Sequence, residues 1–424
     1  MAYKKIISYC QFFLKKDYGG ELVSYLSYGL LAKLLPILGL FFFTSLLTPE
    51  EFGGVAIFTT ITMLSASFLN FGVSQMIVRE KQMLDKKDFS SLIWSGRAVS
   101  IVIALLLFVV FYLVDKTNVV WPISFSLMTL SIVFSPVLSI IDVSMKTFVV
   151  SRDAKLFGRV EVFKTLATVG IPILLIIAFS ENAFEMRIAG YCVGLLVAAL
   201  VAFYLQRKYV DTLPIMMNHA KEVVVYGVKV FPQVAANWLK MGADKILLVP
   251  LLSLDALGAY SFTATLCSMV MILGNAVNNT YTPRSISYYK NGNLVQLRKY
   301  RFALVSVLVF CYVLAALGIV LSSKIYWPKG YELSVLGIFM FMFANLAQGV
   351  YLLYAKYFLF QLKMPLLAAM NLGASLVYVC TLYLMSGSMS LLSAACVLAL
   401  YNGLLLCTVV IYVRFSEGRN RVVE

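Results

Sequence analysis

Leu46-Leu47-Thr48-Pro49-Glu50-Glu51-Phe52-Gly53, set beside Leu251-Leu252-Ser253-Leu254-Asp255-Ala256-Leu257-Gly258, decides how this chain is built. The two blocks stand 205 residues apart in a chain of 424 residues. Each closes an apolar run, offers a hydroxyl at Thr48 or Ser253, adds carboxylates at Glu50 and Glu51 or at Asp255, and then a glycine. A hydroxyl in that place caps free N–H groups at a helix start, and first-turn carboxylates complement the helix dipole. In the same register Asn70 falls on Asn275 and Arg79 on Arg284. Both blocks form the first hairpin of their half, so the chain reads as a tandem repeat.

What repeats is a membrane unit. Hydrophobic residues make up 61% of the chain, charged residues only 13%, and the mean hydropathy is +0.88. Soluble domains carry about 45–50% apolar and about 25% charged residues, so the excess must face lipid. A span needs roughly 20 apolar residues. Apolar runs place six spans near 24–47, 54–78, 92–114, 120–148, 160–180 and 187–206. Six more fall near 226–250, 258–281, 302–322, 334–359, 365–386 and 391–413. The expected fold is all-α, with about twelve transmembrane helices in two six-helix lobes. The lobes are 1–206 and 226–413, joined by a cytoplasmic connector at 207–225 and followed by a tail at 414–424. Because six is even, both halves enter the bilayer in the same sense, the parallel repeat of many transporters. Met1 to Lys5 leads into an amphipathic stretch rather than the apolar core of a cleavable signal.

The net charge of +15 is distributed by side rather than massed for nucleic acid. Twenty-seven lysines and arginines fall in the termini and alternate connections on one side, against Lys116, Arg187, Lys324 and Lys329 on the other. The positive-inside rule therefore places both termini in the cytoplasm, and an inner membrane is the expected location. Six of the seven cysteines lie in apolar runs and none has Cys-x-x-Cys spacing, so neither a disulfide framework, a metal site nor a cofactor is indicated.

Ionisable groups at bilayer depth mark functional candidates. Lys33 lies about nine residues into the first span, roughly 13 Å deep, beyond easy snorkelling. The seventh span carries Gln233, Asn237, Lys240 and Asp244 at i, i+4, i+7 and i+11, one polar stripe on one face. Asp244 is the candidate ion-coupling residue and can pair with Lys240. Asn70 and Asn275 head matching stripes of amides and hydroxyls, suited to sugar hydroxyls or to gluing helices together. Asp142 and Lys146 read as a structural pair, and Arg97 as a surface anchor or an early substrate contact.

The segment Leu47-Thr48-Pro49-Glu50-Glu51-Phe52-Gly53, with Asp244-Lys245-Ile246-Leu247 and Leu257-Gly258-Ala259-Tyr260, resembles the polysaccharide-export flippases of Wzx type. These belong to the multidrug/oligosaccharidyl-lipid/polysaccharide exporter superfamily. The resemblance implies a V-shaped molecule whose first, second, seventh and eighth spans line a central cavity. It also implies a substrate of undecaprenyl-pyrophosphate carrying an O-antigen or capsule repeat unit, moved to the periplasmic leaflet by alternating access. On that reading Lys33, Asn70, Gln233, Asn237, Lys240 and Asn275 contact substrate, and the partners are the lipid-linked oligosaccharide, membrane lipids and other polysaccharide-assembly membrane proteins. A drug antiporter of the same superfamily is the alternative. A membrane-embedded polymerase fits less well, because the outer connections are short and carry no histidine and no clustered carboxylates.

The charge asymmetry makes a direct prediction. Reporter fusions at Asp85, Met217 and Asn291 will read as cytoplasmic, and fusions at Thr117 and Glu332 as external; a cytoplasmic signal at Thr117 contradicts the twelve-span topology.

Overall fold

The computed structural model describes the backbone of residues 19–419 apart from 71, 82–83, 117–123, 152, 213–215, 242, 269, 272–273, 275–276, 279–280, 282–284, 286–287, 290, 326, 333 and 362. Side chains are described over a smaller set, which leaves out Lys33 and residues 232–243 among others. The first half contains α1 (Gly19–Leu46), α2 (Pro49–Asn70), α3 (Val73–Glu80), α4 (Lys86–Asp115), α5 (Phe125–Val150), α6 (Ala154–Ala178) and α7 (Ala183–Gln206). The second contains α8 (Met217–Met241), α9 (Ala243–Leu248), α10 (Leu254–Ser268), α11 (Leu294–Ile325), α12 (Val335–Phe360), α13 (Met364–Leu384) and α14 (Leu391–Arg419).

Among the described residues, nine helices are long and apolar enough to cross a bilayer: α2, α4 to α7 and α11 to α14. The remaining expected spans fall on α1, α8 and the stretch that begins with α10, where parts of the chain lie outside the described residues. The protein is an all-α polytopic membrane protein. Only helices that satisfy their own backbone groups can cross lipid in this way.

Several boundaries differ from expectation, among them the seventh span, expected over 226–250 and found as α8, ending at Met241, and the separate α9 from Ala243 to Leu248. The second span, expected to continue to 78, ends at Asn70. Gly72 follows in the left-handed region at φ 81°, and the chain restarts as the short amphipathic α3. A left-handed residue cannot continue an α-helix, and glycine adopts it without a Cβ clash. The connector expected over 207–225 is already helical from Met217, where His219 and Glu222 meet one turn apart at 3.1 Å.

The chain divides into two compact units. One comprises residues 1–42 and 61–234, the other 43–60 and 235–424. In the first, α6 packs most extensively on α7. Gly190 and Gly194, one turn apart on α7, admit the α6 backbone so closely that a Cβ at Gly194 would lie 2.5 Å from the Ala167 carbonyl oxygen. Small residues at this spacing are a common device for apposing membrane helices. Between α5 and α6, the Asp153 carboxylate accepts bonds from the Tyr209 hydroxyl at 2.7 Å, the Leu156 amide at 3.0 Å and Lys208 Nζ at 3.1 Å. The tyrosine bond, then the amide bond, hold its pKa down at about 2.

The second unit contains both repeat blocks. Thr48 caps α2 in a reciprocal box: its Oγ1 accepts from the Glu51 amide at 3.3 Å, and Glu51 Oε2 accepts from the Thr48 amide at 2.8 Å. Ser253 caps α10 through the Ala256 amide at 3.2 Å. The two caps bring the repeat glycines together. A Cβ on Gly258 would strike the carbonyl oxygen of Pro49, and one on Gly53 the carbonyl oxygen of Leu254. Tyr331 seals the crossing, donating to the Leu47 carbonyl at 2.9 Å and meeting the Phe52 ring edge-on at 5.7 Å.

At the opposite end of this unit, α11 and α14 are tied by a buried ion pair. Arg301 Nη2 donates to Glu417 Oε1 at 2.9 Å, with the two side chains only 4% and 2% exposed. Tyr289 donates to the same carboxylate at 3.1 Å, Arg298 Nε to its other oxygen at 3.1 Å, and the Tyr354 ring lies 4.4 Å from the guanidinium. Such full pairing offsets the cost of burying two charges.

The glycine crossing generates a stability prediction. Gly258→Ala will destabilise the detergent-purified protein by about 1–3 kcal/mol through overpacking against backbone that cannot yield. Gly373→Ala, where the added methyl would meet no atom within 4 Å, is the control and will leave the melting temperature close to wild type.

Candidate functional site

In the first unit, the end of α2 delivers Asn70 to the middle of α5. Ser139 Oγ donates to Asn70 Oδ1 at 2.7 Å, and Asn70 Nδ2 donates to Asp142 Oδ2 at 3.4 Å. The three are linked because Ser139 and Asp142 lie three apart on one helical face, where one carboxamide reaches both. The expected pair of Asp142 with Lys146 does not form among the described ion pairs. Lys164, on the neighbouring α6, is paired with Glu161 at 3.0 Å. The carboxamide of Asn70, a substrate contact on the sequence reading, is here spent on a serine and a carboxylate. Ser67, from the same stripe, bonds back to the Met63 carbonyl at 2.9 Å and is exposed.

A second knot lies one turn further along α5. Gln206 Oε1 accepts from Arg97 Nη2 and from Ser144 Oγ, the latter at 3.0 Å, while Gln206 Nε2 donates to Thr147 Oγ1 at 2.8 Å. The Arg97 guanidinium lies against both Trp94 and Phe203, 4.9 and 4.8 Å from the ring centres of a pair that meets edge-on at 5.9 Å. Arg97 is therefore neither a free anchor nor an open contact; it is turned inward, and its planar face suits the rings.

In the second unit Asp244 opens α9. Its Oδ2 accepts the Tyr260 hydroxyl at 2.9 Å. Tyr260 is fully buried on α10 with Phe341 edge-on at 5.0 Å, and Tyr378 of α13 faces both Tyr260 and Asp244. Tyr378 in turn packs on Tyr401 at 5.2 Å, whose hydroxyl lies 3.3 Å from Ser375 Oγ. Asp244 thus accepts one phenol, Tyr260, beside two further tyrosines on α13 and α14; the Tyr378 hydroxyl itself makes no hydrogen bond among the described residues. The sequence pattern exposes Asp244 but not its tyrosines, since buried Tyr260 and Tyr378 look like any aromatic in an apolar run.

The remaining sequence candidates divide by what is described. Lys33 lies on α1, and Gln233, Asn237 and Lys240 lie on α8; their side chains, and with them the expected Lys240–Asp244 pair, are outside the described residues. Asn275 lies outside the described residues altogether. The six described cysteines are free, and among the described residues no group of three His, Cys, Asp or Glu side chains could hold a metal.

Part-buried carboxylates with amide or phenol partners in an apolar helical protein are candidate functional positions. Comparison with solved structures identifies the fold. The fold superposes on a MATE multidrug transporter, DinF-BH, with a TM-score of 0.64 at 13% identity, covering 93% of this chain and 94% of that one. An outward-facing MATE family transporter of the MOP superfamily gives a TM-score of 0.61 at 12% identity, covering 97% and 98%. The chain belongs to the family described as polysaccharide biosynthesis protein, whose profile matches residues 42–322. It is also 20% identical over 366 residues to Lsg locus protein 1 of Haemophilus influenzae, covering 85% of this chain and 89% of that protein. The family is that of polysaccharide biosynthesis proteins, and the fold is that of MATE transporters.

The Asn70 bridge is testable. Asn70→Ala leaves Ser139 and a partly buried Asp142 without their shared partner, and will lower stability by about 1–3 kcal/mol, read as a reduced melting temperature in detergent. An unchanged melting temperature would mean that the bridge is absent and Asn70 is free for substrate.

Proposed function

We propose that this protein flips undecaprenyl-pyrophosphate-linked oligosaccharide units, of O-antigen or capsule type, from the cytoplasmic to the periplasmic leaflet of a bacterial inner membrane. The observation that carries the reading is the match of residues 42–322 to a polysaccharide biosynthesis family on a transporter fold. The physics supports it. Lysines in a cavity of lowered dielectric attract a polyanionic headgroup more strongly than lysines in water. The tail stays in the bilayer while the sugars cross in the wet interior. Release outside requires modest affinity, which a few lysines and amides provide better than a bidentate arginine cage.

In this scheme Lys33 and Lys240 meet the pyrophosphate, Gln233, Asn237 and Asn275 meet sugar hydroxyls, and the 1–206 and 226–413 lobes alternate around them. Asp244 couples the cycle: protonation would remove its charge beside Tyr260 and, by the sequence spacing, beside Lys240. A proton drives transport only if it binds the two states differently. A multidrug antiporter is the second reading, favoured by the multidrug transporters among the structural neighbours.

Two measurements separate these. Lys33→Ala or Lys240→Ala will abolish surface polysaccharide at normal membrane abundance, with partial retention in the arginine variants; full-length polysaccharide from both alanine variants refutes the headgroup model. In reconstituted vesicles Asp244→Asn will lose the response to an imposed pH gradient while gradient-free exchange survives; a wild-type response removes Asp244 from coupling.

A further inference from the structure

The polar stripe of the seventh span does not begin at Gln233. Read back along α8 at helical spacing, it continues through Lys229, Tyr226 and Glu222, so that residues 222, 226, 229, 233, 237 and 240 follow steps of three and four in the sequence of that helix. Where this stripe reaches the side read as cytoplasmic, the first unit holds a cavity of about 650 Å³ between α3 and the first three turns of α8. That volume lies within the range of about 300–1,000 Å³ of small-molecule sites.

Its lining is unlike the surrounding apolar helices. Glu80, His219, Lys221, Glu222, Tyr226 and Lys229 surround it over a floor that includes Met76. The carboxylates are engaged. Glu222 Oε2 lies 3.1 Å from His219 Nδ1, whose ring is only 13% exposed and has Asp88 on its other side at 4.0 Å. Glu80 also has a partner of its own. Lys221 and Lys229 take part in no ion pair or hydrogen bond among the described residues, although carboxylates stand on the same helix. Tyr226 is fixed by packing over Gly72, at the turn that separates α2 from α3.

We propose that this bay is a loading site for the pyrophosphate and first sugars of the lipid-linked substrate, at the foot of the polar stripe that the sugars then follow. It rests on the flippase reading above. The two unpaired ammonium groups supply point charges for phosphate oxygens, a role to which lysine is suited. The paired His219–Glu222 couple, Asn218 and the Tyr226 hydroxyl present donors and acceptors in one pocket, which matches sugar hydroxyls that do both. Because the lysines are exposed, each contributes modestly and binding falls with salt.

The test uses the full chain in phosphatidylcholine nanodiscs, titrated calorimetrically. Three probes are compared: inorganic pyrophosphate, a disaccharide joined by pyrophosphate to a short prenyl chain, and the same disaccharide without phosphate. The prenyl-pyrophosphate disaccharide will bind tightest, pyrophosphate more weakly, and the neutral sugar not measurably. Lys221→Ala with Lys229→Ala will weaken both phosphorylated probes about tenfold, the arginine pair will recover most of it, and Lys81→Ala, whose ammonium instead covers the Phe89 ring, will change nothing. Equal binding by the double alanine variant overturns the site. So does equal displacement by phosphatidylglycerol nanodiscs, which would mark a plain anionic-lipid surface. Translocation measured alongside keeps the two claims apart. A wild type that flips the probe while the double variant binds and flips it equally loses the bay and keeps the function; lysine-dependent binding without any flipping keeps the bay and loses the function.

Discussion

The crossing of Gly53 and Gly258 is the contact on which the second unit depends. Two helix starts from opposite halves of the sequence come so close that the carbonyl oxygens of Pro49 and Leu254 occupy the space a side chain would need. Inside a bilayer there is no hydrophobic gain from pressing one apolar helix on another, so close packing of backbone has to supply the attraction. Glycine at both positions permits it, and the Thr48–Glu51 box and the Ser253 cap present each helix start with its N–H groups already satisfied. The same economy recurs in the first unit, where Gly190 and Gly194 admit the backbone of α6.

Once helices are held by small residues, polar side chains can be placed at depth without unfolding the bundle. Asn70 serves Ser139 and Asp142, Gln206 serves Arg97, Ser144 and Thr147, and Asp244 takes the Tyr260 hydroxyl. The first two clusters join helices distant in sequence and the third joins consecutive ones, so each reports on how those helices pack. A carboxylate whose partners are neutral differs from one locked against an arginine. Glu417 is of the second kind, buried against Arg301 and Arg298, and its role is to join α11 to α14. Asp142 accepts from the Asn70 carboxamide and Asp244 from the Tyr260 hydroxyl, and among the described residues neither is bonded to an arginine.

Much of the architecture is legible in the chain alone. A 61% hydrophobic chain with capped hairpins at matching positions has few soluble alternatives, because lipid forbids unsatisfied backbone and so restricts the elements to helices. Spacing along the seventh span is less so: Gln233, Asn237 and Lys240 fall on α8, whereas Asp244 falls on the separate helix α9. Hydroxyl caps are local, and Thr48 and Ser253 perform as their flanking sequence requires.

Partners across helices are another matter. Asp142 and Lys146, four apart, invite a pair by local rules, yet Asp142 is reached by Asn70 from a helix 72 residues away in sequence. Arg97 near a span end looks like a surface anchor, yet two rings and a glutamine draw it inward. Tyr260 and Tyr378 carry no periodic signal, because a buried phenol and a lipid-facing one occupy the same kind of apolar run. The membrane class and the caps at Thr48 and Ser253 can be read from the chain, because composition and residues within one turn set them. Which carboxylate meets an amide, a phenol or an arginine emerges only in three dimensions, since that depends on which helices come within about 3 Å and no local spacing encodes it.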